Sequence, residues 1–219
     1  MSSRPTRTTR ATARWPAPHA PGQGKGEATR QRLLTVAADL FHAQGVDGTG
    51  LEEILRKAGA GKSQFYQHFP SKEALVREVA AWWERHLCAS LDEGPGLDSL
   101  DDLEAWLLAM VDQLDVERCR RGCPVGTLAA GLHETDEATR AAVGQCFQAL
   151  ATRLYDVLSR LQREGKLHEG ADPEALTHFL LASQQGAATL TKAYGDSGAG
   201  RAAISQAMRH VRSYSPGGP

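Results

Sequence analysis

The amino-acid sequence predicts an all-α protein, and three observations carry that reading. Apolar residues recur at helical spacing through most of the chain beyond Glu27. Capping and breaking residues bracket each periodic stretch. No stretch shows the apolar–polar alternation of a half-buried strand.

The elements follow in order. Residues 1–25 are rich in Arg, Thr, Pro, Ala and Gly without an apolar period, and are expected to form a disordered basic arm. Arg4, Arg7, Arg10 and Arg14 stand there with no acid among them. Leu33, Leu34, Ala37, Leu40 and Phe41 then line one helix, which the glycines of "AQGVDG" end. "LEEILRKAG" carries Leu51, Ile54, Leu55 and Ala58 on one face, with Gly59 as its stop. A short helix over 62–69 has Phe65 and Phe69 four apart. Pro70 cannot continue it, and Ser71 is placed to cap a connecting helix over 71–91.

The second part of the chain is helical by the same criterion. "GPG" at 94–96 is a break, and Asp98 is expected to cap a helix bearing Leu100, Leu103, Leu107, Met110 and Leu114. "RRGCPVG" is another break. A long helix is expected over 136–163, then a helix over 173–194 opened by Asp172-Pro173-Glu174, then a helix over 201–212. The organisation read from this is a helix-turn-helix domain at 26–72, a helical body at 73–213 and a flexible tail at 214–219.

The charge is split along the chain. Residues 1–72 carry 11 Lys/Arg against 5 Asp/Glu, whereas residues 73–219 carry 14 against 21. A basic end beside an acidic body suits a polyanion such as double-stranded DNA at the N-terminal end. No apolar run is long enough to span a bilayer and no apolar signal core opens the chain, so no membrane association is expected and a cytoplasmic location is. Cys88, Cys119, Cys123 and Cys146 are irregularly spaced and lack ligand partners at metal-binding spacing; neither a metal nor a cofactor is expected.

The "GKS" at 61–63 raises the question of a phosphate-binding loop. Such a loop needs G-x-x-x-x-G-K-[ST] entered from a buried strand. The position of its first glycine holds Arg56, and an amphipathic helix precedes it. The same residues instead form a helix, a Gly59-Ala60-Gly61 turn and a second helix. That second helix has Phe65 and Phe69 to bury, leaving Lys62, Ser63, Gln64, Tyr66, Gln67 and His68 to face outward.

"LFHAQGVDGTGLEEILRKAGAGKSQFYQHFPSKEALV" (40–76) resembles the DNA-binding domain of the TetR family of transcriptional regulators. Its landmarks are Phe41, Gly45, Thr49, Ile54, Ala58-Gly59, Lys62, Phe65-Tyr66, His68-Phe69, Ser71-Lys72-Glu73 and Leu75. The resemblance implies an N-terminal three-helix DNA-binding domain and a C-terminal helical bundle for ligand binding and dimerisation. It implies that Thr49, Tyr66 and Lys72 hold phosphates, that Lys62, Ser63, Gln64 and Gln67 reach bases, and that His68 meets the backbone. Two residues depart from the family pattern. Gly61 replaces the usual Ser or Thr cap, and Glu52 stands where a basic or polar residue often assists backbone binding.

A repressor that binds a palindrome as a homodimer and is released by a small-molecule effector is therefore expected, with helices 136–163 and 173–194 as the pairing surface. Trp83, Trp106, Met110, Thr127, Phe147, His178 and Gln184 are candidate effector-pocket residues. Cys123, with Arg118, Arg120 and Arg121 near it in sequence, is a candidate electrophile or redox sensor whose thiol the arginines would acidify, and Cys119 a candidate resolving partner. The alternative is a helical enzyme of unknown reaction. No enzymatic activity is expected, because His86, His133, His168 and His178 are scattered without evident carboxylate or nucleophile partners.

Overall fold

The computed structural model describes residues 24–92, 96–116, 121–132 and 137–217. Among these residues no strand occurs. The helices are α1 (Lys25–Gln44), α2 (Leu51–Ala58), α3 (Lys62–His68), α4 (Lys72–Asp92), α5 (Leu100–Val116), α6 (Pro124–Ala130), α7 (Glu137–Arg163), α8 (Pro173–Tyr194) and α9 (Gly198–Arg212). The all-α reading holds. Residues 1–23 of the basic arm and Cys119 lie outside the described residues, whereas Lys25 opens α1.

Helix α3 has seven residues and could not persist alone in water. It is held by anchors. Phe65 and Phe69 are buried with Leu33, Leu34, Ala37, Phe41 and Ile54 of α1 and α2. Each aromatic removes enough apolar surface from water to contribute about 1.5–3 kcal/mol. The turn that sets α3 against α2 depends on Gly59, whose φ of 60° is left-handed. There Ala60 N donates to Leu55 O at 3.0 Å, closing the end of α2.

One apolar cluster runs from this head into the body, joining Leu75, Val79 and Trp83 of α4 to Val125 and Leu128 of α6 and to Val143, Cys146 and Leu150 of α7. A second cluster fills the body between α5, α7, α8 and α9, with Leu103, Leu107, Leu158, Leu161, Leu180, Ile204 and Met208 at its centre. Packing is therefore continuous across residue 72, the domain boundary expected from the sequence.

One local expectation needs correction. Ser99, not Asp98, caps α5: its Oγ accepts from Asp102 N at 3.1 Å, while Asp98 pairs with Arg160 at 2.9 Å. The apolar line of α7 (Val143, Leu150, Leu154, Leu158, Leu161) is buried inside its own chain. On α8 the buried line is Leu176, Leu180, Gln184, Ala187 and Thr191, while Phe179 and Leu190 point outward. Asp172 caps α8 as read, its Oδ1 accepting from Glu174 N and Ala175 N.

Candidate nucleic-acid interface

The outer flank of α3 is open. Lys62, Ser63, Gln64, Tyr66 and Gln67 are exposed while Phe65 between them is fully buried, which follows from one inward face on a short helix. Tyr66 is the largest of these, 57% exposed, its ring edge-on to Phe65 at 5.2 Å. His68 is half-buried against Phe69, and its ring lies beside Gly26 at the start of α1.

Several of these side chains already have partners within the chain. Gln64 Oε1 accepts from Gly61 N at 2.9 Å, the half of a capping box that remains open when the N-cap residue is glycine. Lys62 Nζ lies 3.3 Å from Glu52 Oε1 on α2. Lys72 Nζ donates to Val46 O at 2.7 Å, holding the turn between α1 and α2. Thr49 departs from its expected role. Its side chain is buried, its hydroxyl donates to Gly45 O at 2.7 Å, and Gly50 rather than Thr49 stands at the N-cap of α2. Thr49 thus shapes the turn instead of facing outward.

Of the effector-pocket candidates, Trp83, Met110 and Phe147 belong to one apolar cluster, whereas Trp106 packs against the other. Trp83 is buried at the head–body junction with its ring edge-on to His42 at 5.6 Å. Thr127 Oγ1 donates to Cys123 O within α6. Met110 and Phe147 are half-buried on α5 and α7. Trp106 Nε1 on α5 and Gln184 Oε1 on α8 are buried without a hydrogen-bonding partner. His178 is exposed, on the outer face of α8, and is not placed to line an interior pocket. A cavity of about 120 Å³ does occur, but it lies between head and body, lined by Val46, Lys72, Val76, Leu128, Leu132 and Thr139 among others, and contains none of the seven.

Cys123 caps α6, its Sγ accepting from Gly126 N at 3.4 Å and from Gln185 Nε2 of α8 at 3.3 Å. Burial pushes its thiol up despite those donors, opposite to the acidification expected from neighbouring arginines. Arg121, the described one of the three, pairs with Asp39 of α1 at 2.5 Å.

Sequence reasoning missed His42. It is buried on α1, its Nε2 donating to Gly122 O at 2.8 Å. Desolvation lowers its pKa to about 4. Gly122 needs its positive φ of 73°, and a side chain there would press on Lys192 of α8. A His within a helical apolar line carries no sequence signal that separates it from a surface residue.

A three-helix head with an open polar flank on its third helix, set on a helical body, defines a helix-turn-helix DNA-binding regulator. Residues 33–79 match the family model for bacterial regulatory proteins of the tetR family, and residues 96–208 match that for the tetracyclin repressor-like C-terminal domain. The chain belongs to the TetR family. It is 32% identical over 175 residues to an uncharacterized HTH-type transcriptional regulator in the lacX 3'region of Lactococcus lactis subsp. lactis, covering 77% of this chain and 85% of that one. It is 25% identical to the HTH-type transcriptional repressor DhaR of Mycobacterium sp. (strain GP1), over 72% of this chain and 79% of that one. The fold also matches a solved structure of a cysteine mutant of the TetR-family regulator CifR, complexed with 26-bp double-strand operator DNA. That match has a TM-score of 0.70 at 22% identity, over 87% of this chain and 98% of that one. Among the described residues no helix is long and apolar enough to cross a membrane, and no group of side chains is arranged to hold a metal ion.

Proposed function

We propose that this chain is a repressor that binds a palindromic operator as a homodimer and is released by a small-molecule effector. The observation that carries the reading is the division of α3 between buried Phe65 and an exposed flank of Lys62, Ser63, Gln64, Tyr66 and Gln67. Lys62, Ser63, Gln64 and Gln67 are the base-contact candidates, with Tyr66 and Lys72 on phosphates and His68 at the backbone. Lys72 would exchange Val46 O for a phosphate oxygen. One short helix spans too few base pairs to mark a site in a genome, which favours two copies on a two-fold sequence.

The outward face of α8 supports pairing. Phe179 is 41% exposed and Leu190 37%, and between them Gly186 meets nothing that a side chain would disturb. Glycine at an exposed mid-helix position costs roughly 1 kcal/mol relative to alanine, and close approach of a second copy would offset it. Tyr155 of α7 is also exposed, at 45%. The effector reading rests on Trp106 Nε1 and Gln184 Oε1, a buried donor and a buried acceptor that a ligand with complementary groups would satisfy. The similarity to a named repressor supports repression over activation.

The test is selection of duplexes from a random pool by the full chain, followed by binding to the enriched sequence and to a scrambled duplex of equal composition. One enriched palindrome bound by two copies supports the reading; equal binding to both duplexes refutes it.

A further inference from the structure

We propose that Glu52 and Lys62 act as one unit that reads a G·C base pair, which makes the acidic Glu52 a specificity-determining residue. This inference rests on the DNA-binding reading above and adds the chemistry of one contact. Lys62 opens the outward flank of α3, and Glu52 lies on α2 with its Oε1 3.3 Å from Lys62 Nζ. Both side chains are largely solvent-exposed, Lys62 at 66% and Glu52 at 84%. Exposed ion pairs of this kind contribute little to fold stability. The pairing therefore has no evident structural purpose, and any surface that engages Lys62 also meets Glu52.

The two groups present three donors and an acceptor side by side. The major-groove edge of a G·C pair offers the complement: N7 and O6 of guanine accept, and the adjacent N4 amine of cytosine donates. Lys62 spanning the two guanine acceptors leaves the Glu52 carboxylate for the cytosine amine. An A·T pair in the same orientation places the N6 amine of adenine against the ammonium. A phosphate would suit Lys62 alone, but it would bring a second anion against Glu52 and free no partner for it. The pair thus favours a base edge over the backbone, and one base pair over the others.

The test uses the enriched duplex from the selection and derivatives in which each G·C pair of the half-site is changed in turn to A·T. Fluorescence anisotropy on the full chain compares wild type with Glu52→Gln, Glu52→Ala, Lys62→Ala and the double alanine variant. Wild type is expected to lose at least about fivefold in affinity at one G·C position per half-site. Both Glu52 variants and Lys62→Ala should lose discrimination at that same position, and the double variant should discriminate no worse than either single one. Unchanged helical circular dichroism establishes that each variant is folded. The proposal is overturned if the Glu52 variants strengthen binding to every duplex by one common factor, since the carboxylate then only repels phosphates, or if they alter no position. Failure of the selection to enrich any sequence would instead remove the DNA-binding reading itself.

Discussion

His42 and Gly122 are joined by a 2.8 Å hydrogen bond that ties the first helix of the DNA-binding head to the segment entering α6. The same segment touches α8 on its other side, through Gly122 against Lys192 and Cys123 against Gln185. Gly122 and Cys123 thus connect His42 of the reading head to Lys192 and Gln185 of the helix whose outer face is proposed to pair. A shift of α8 or α6 cannot leave α1 undisturbed unless these contacts break.

The buried imidazole gives the protein an acid-sensitive stability. His42 titrates near 6.5 when unfolded, and desolvation holds it to about 4 in the fold. The unfolded chain binds more protons between those values. The stability from neutral His42 is therefore complete above about pH 6.5 and lost as the pH falls towards 4, by roughly 3 kcal/mol at the acid end. Urea midpoints for wild type and His42→Gln, measured from pH 7.5 to 4.5, should converge as the pH drops. Parallel curves would show that another group sets the acid response.

Lys72 is expected to exchange one oxygen for another on binding DNA. Its bond to Val46 O must open for a phosphate contact, so Lys72→Ala should weaken binding to all duplexes alike and make the slope of log affinity against log salt shallower by about one unit. A salt series by gel shift reads this directly. An unchanged slope would leave Lys72 as a strut of the α1–α2 turn alone.

Charge placed on the outer face of α8 should separate the two copies. Leu190→Asp and Phe179→Asp each replace an exposed apolar group, and Phe179 also meets the His210 ring of α9 edge-on at 5.3 Å. Each is expected to cost about 2 kcal/mol or more at each copy if the face is buried on pairing. Sedimentation velocity should then show a monomer with wild-type helical content. A persistent dimer would move the pairing surface elsewhere.

Cys123 is expected to be a slow nucleophile. Burial disfavours its thiolate, and Gln185 and Gly126 occupy the sulfur. Mass spectrometry after a brief challenge with a mild electrophile at neutral pH should find Cys123 modified more slowly than an unperturbed thiol, and Cys123→Ser should retain wild-type DNA release. Rapid labelling accompanied by release would restore the sensor role.

The sequence by itself determined the helical class, the limits of most helices to within a few residues, and the helix-turn-helix at Leu51–Phe69. Those features depend on local signals: a 3.6-residue apolar period, Asp172-Pro173 opening α8, and Gly59 in a left-handed turn closing α2. Tertiary structure decided everything that depends on which neighbour a face meets. Periodicity marks α7 and α8 as amphipathic without saying whether the partner is α4, α5 or another chain, so Phe179 and Leu190 match the apolar period and yet stand at the surface. Thr49 turned inward because Gly45 O lies within reach of its hydroxyl, and Cys123 is contacted by Gln185 of α8, 62 residues away in sequence. Hydrogen bonding and solvation act over a few ångströms of space, and distance along the chain does not measure them.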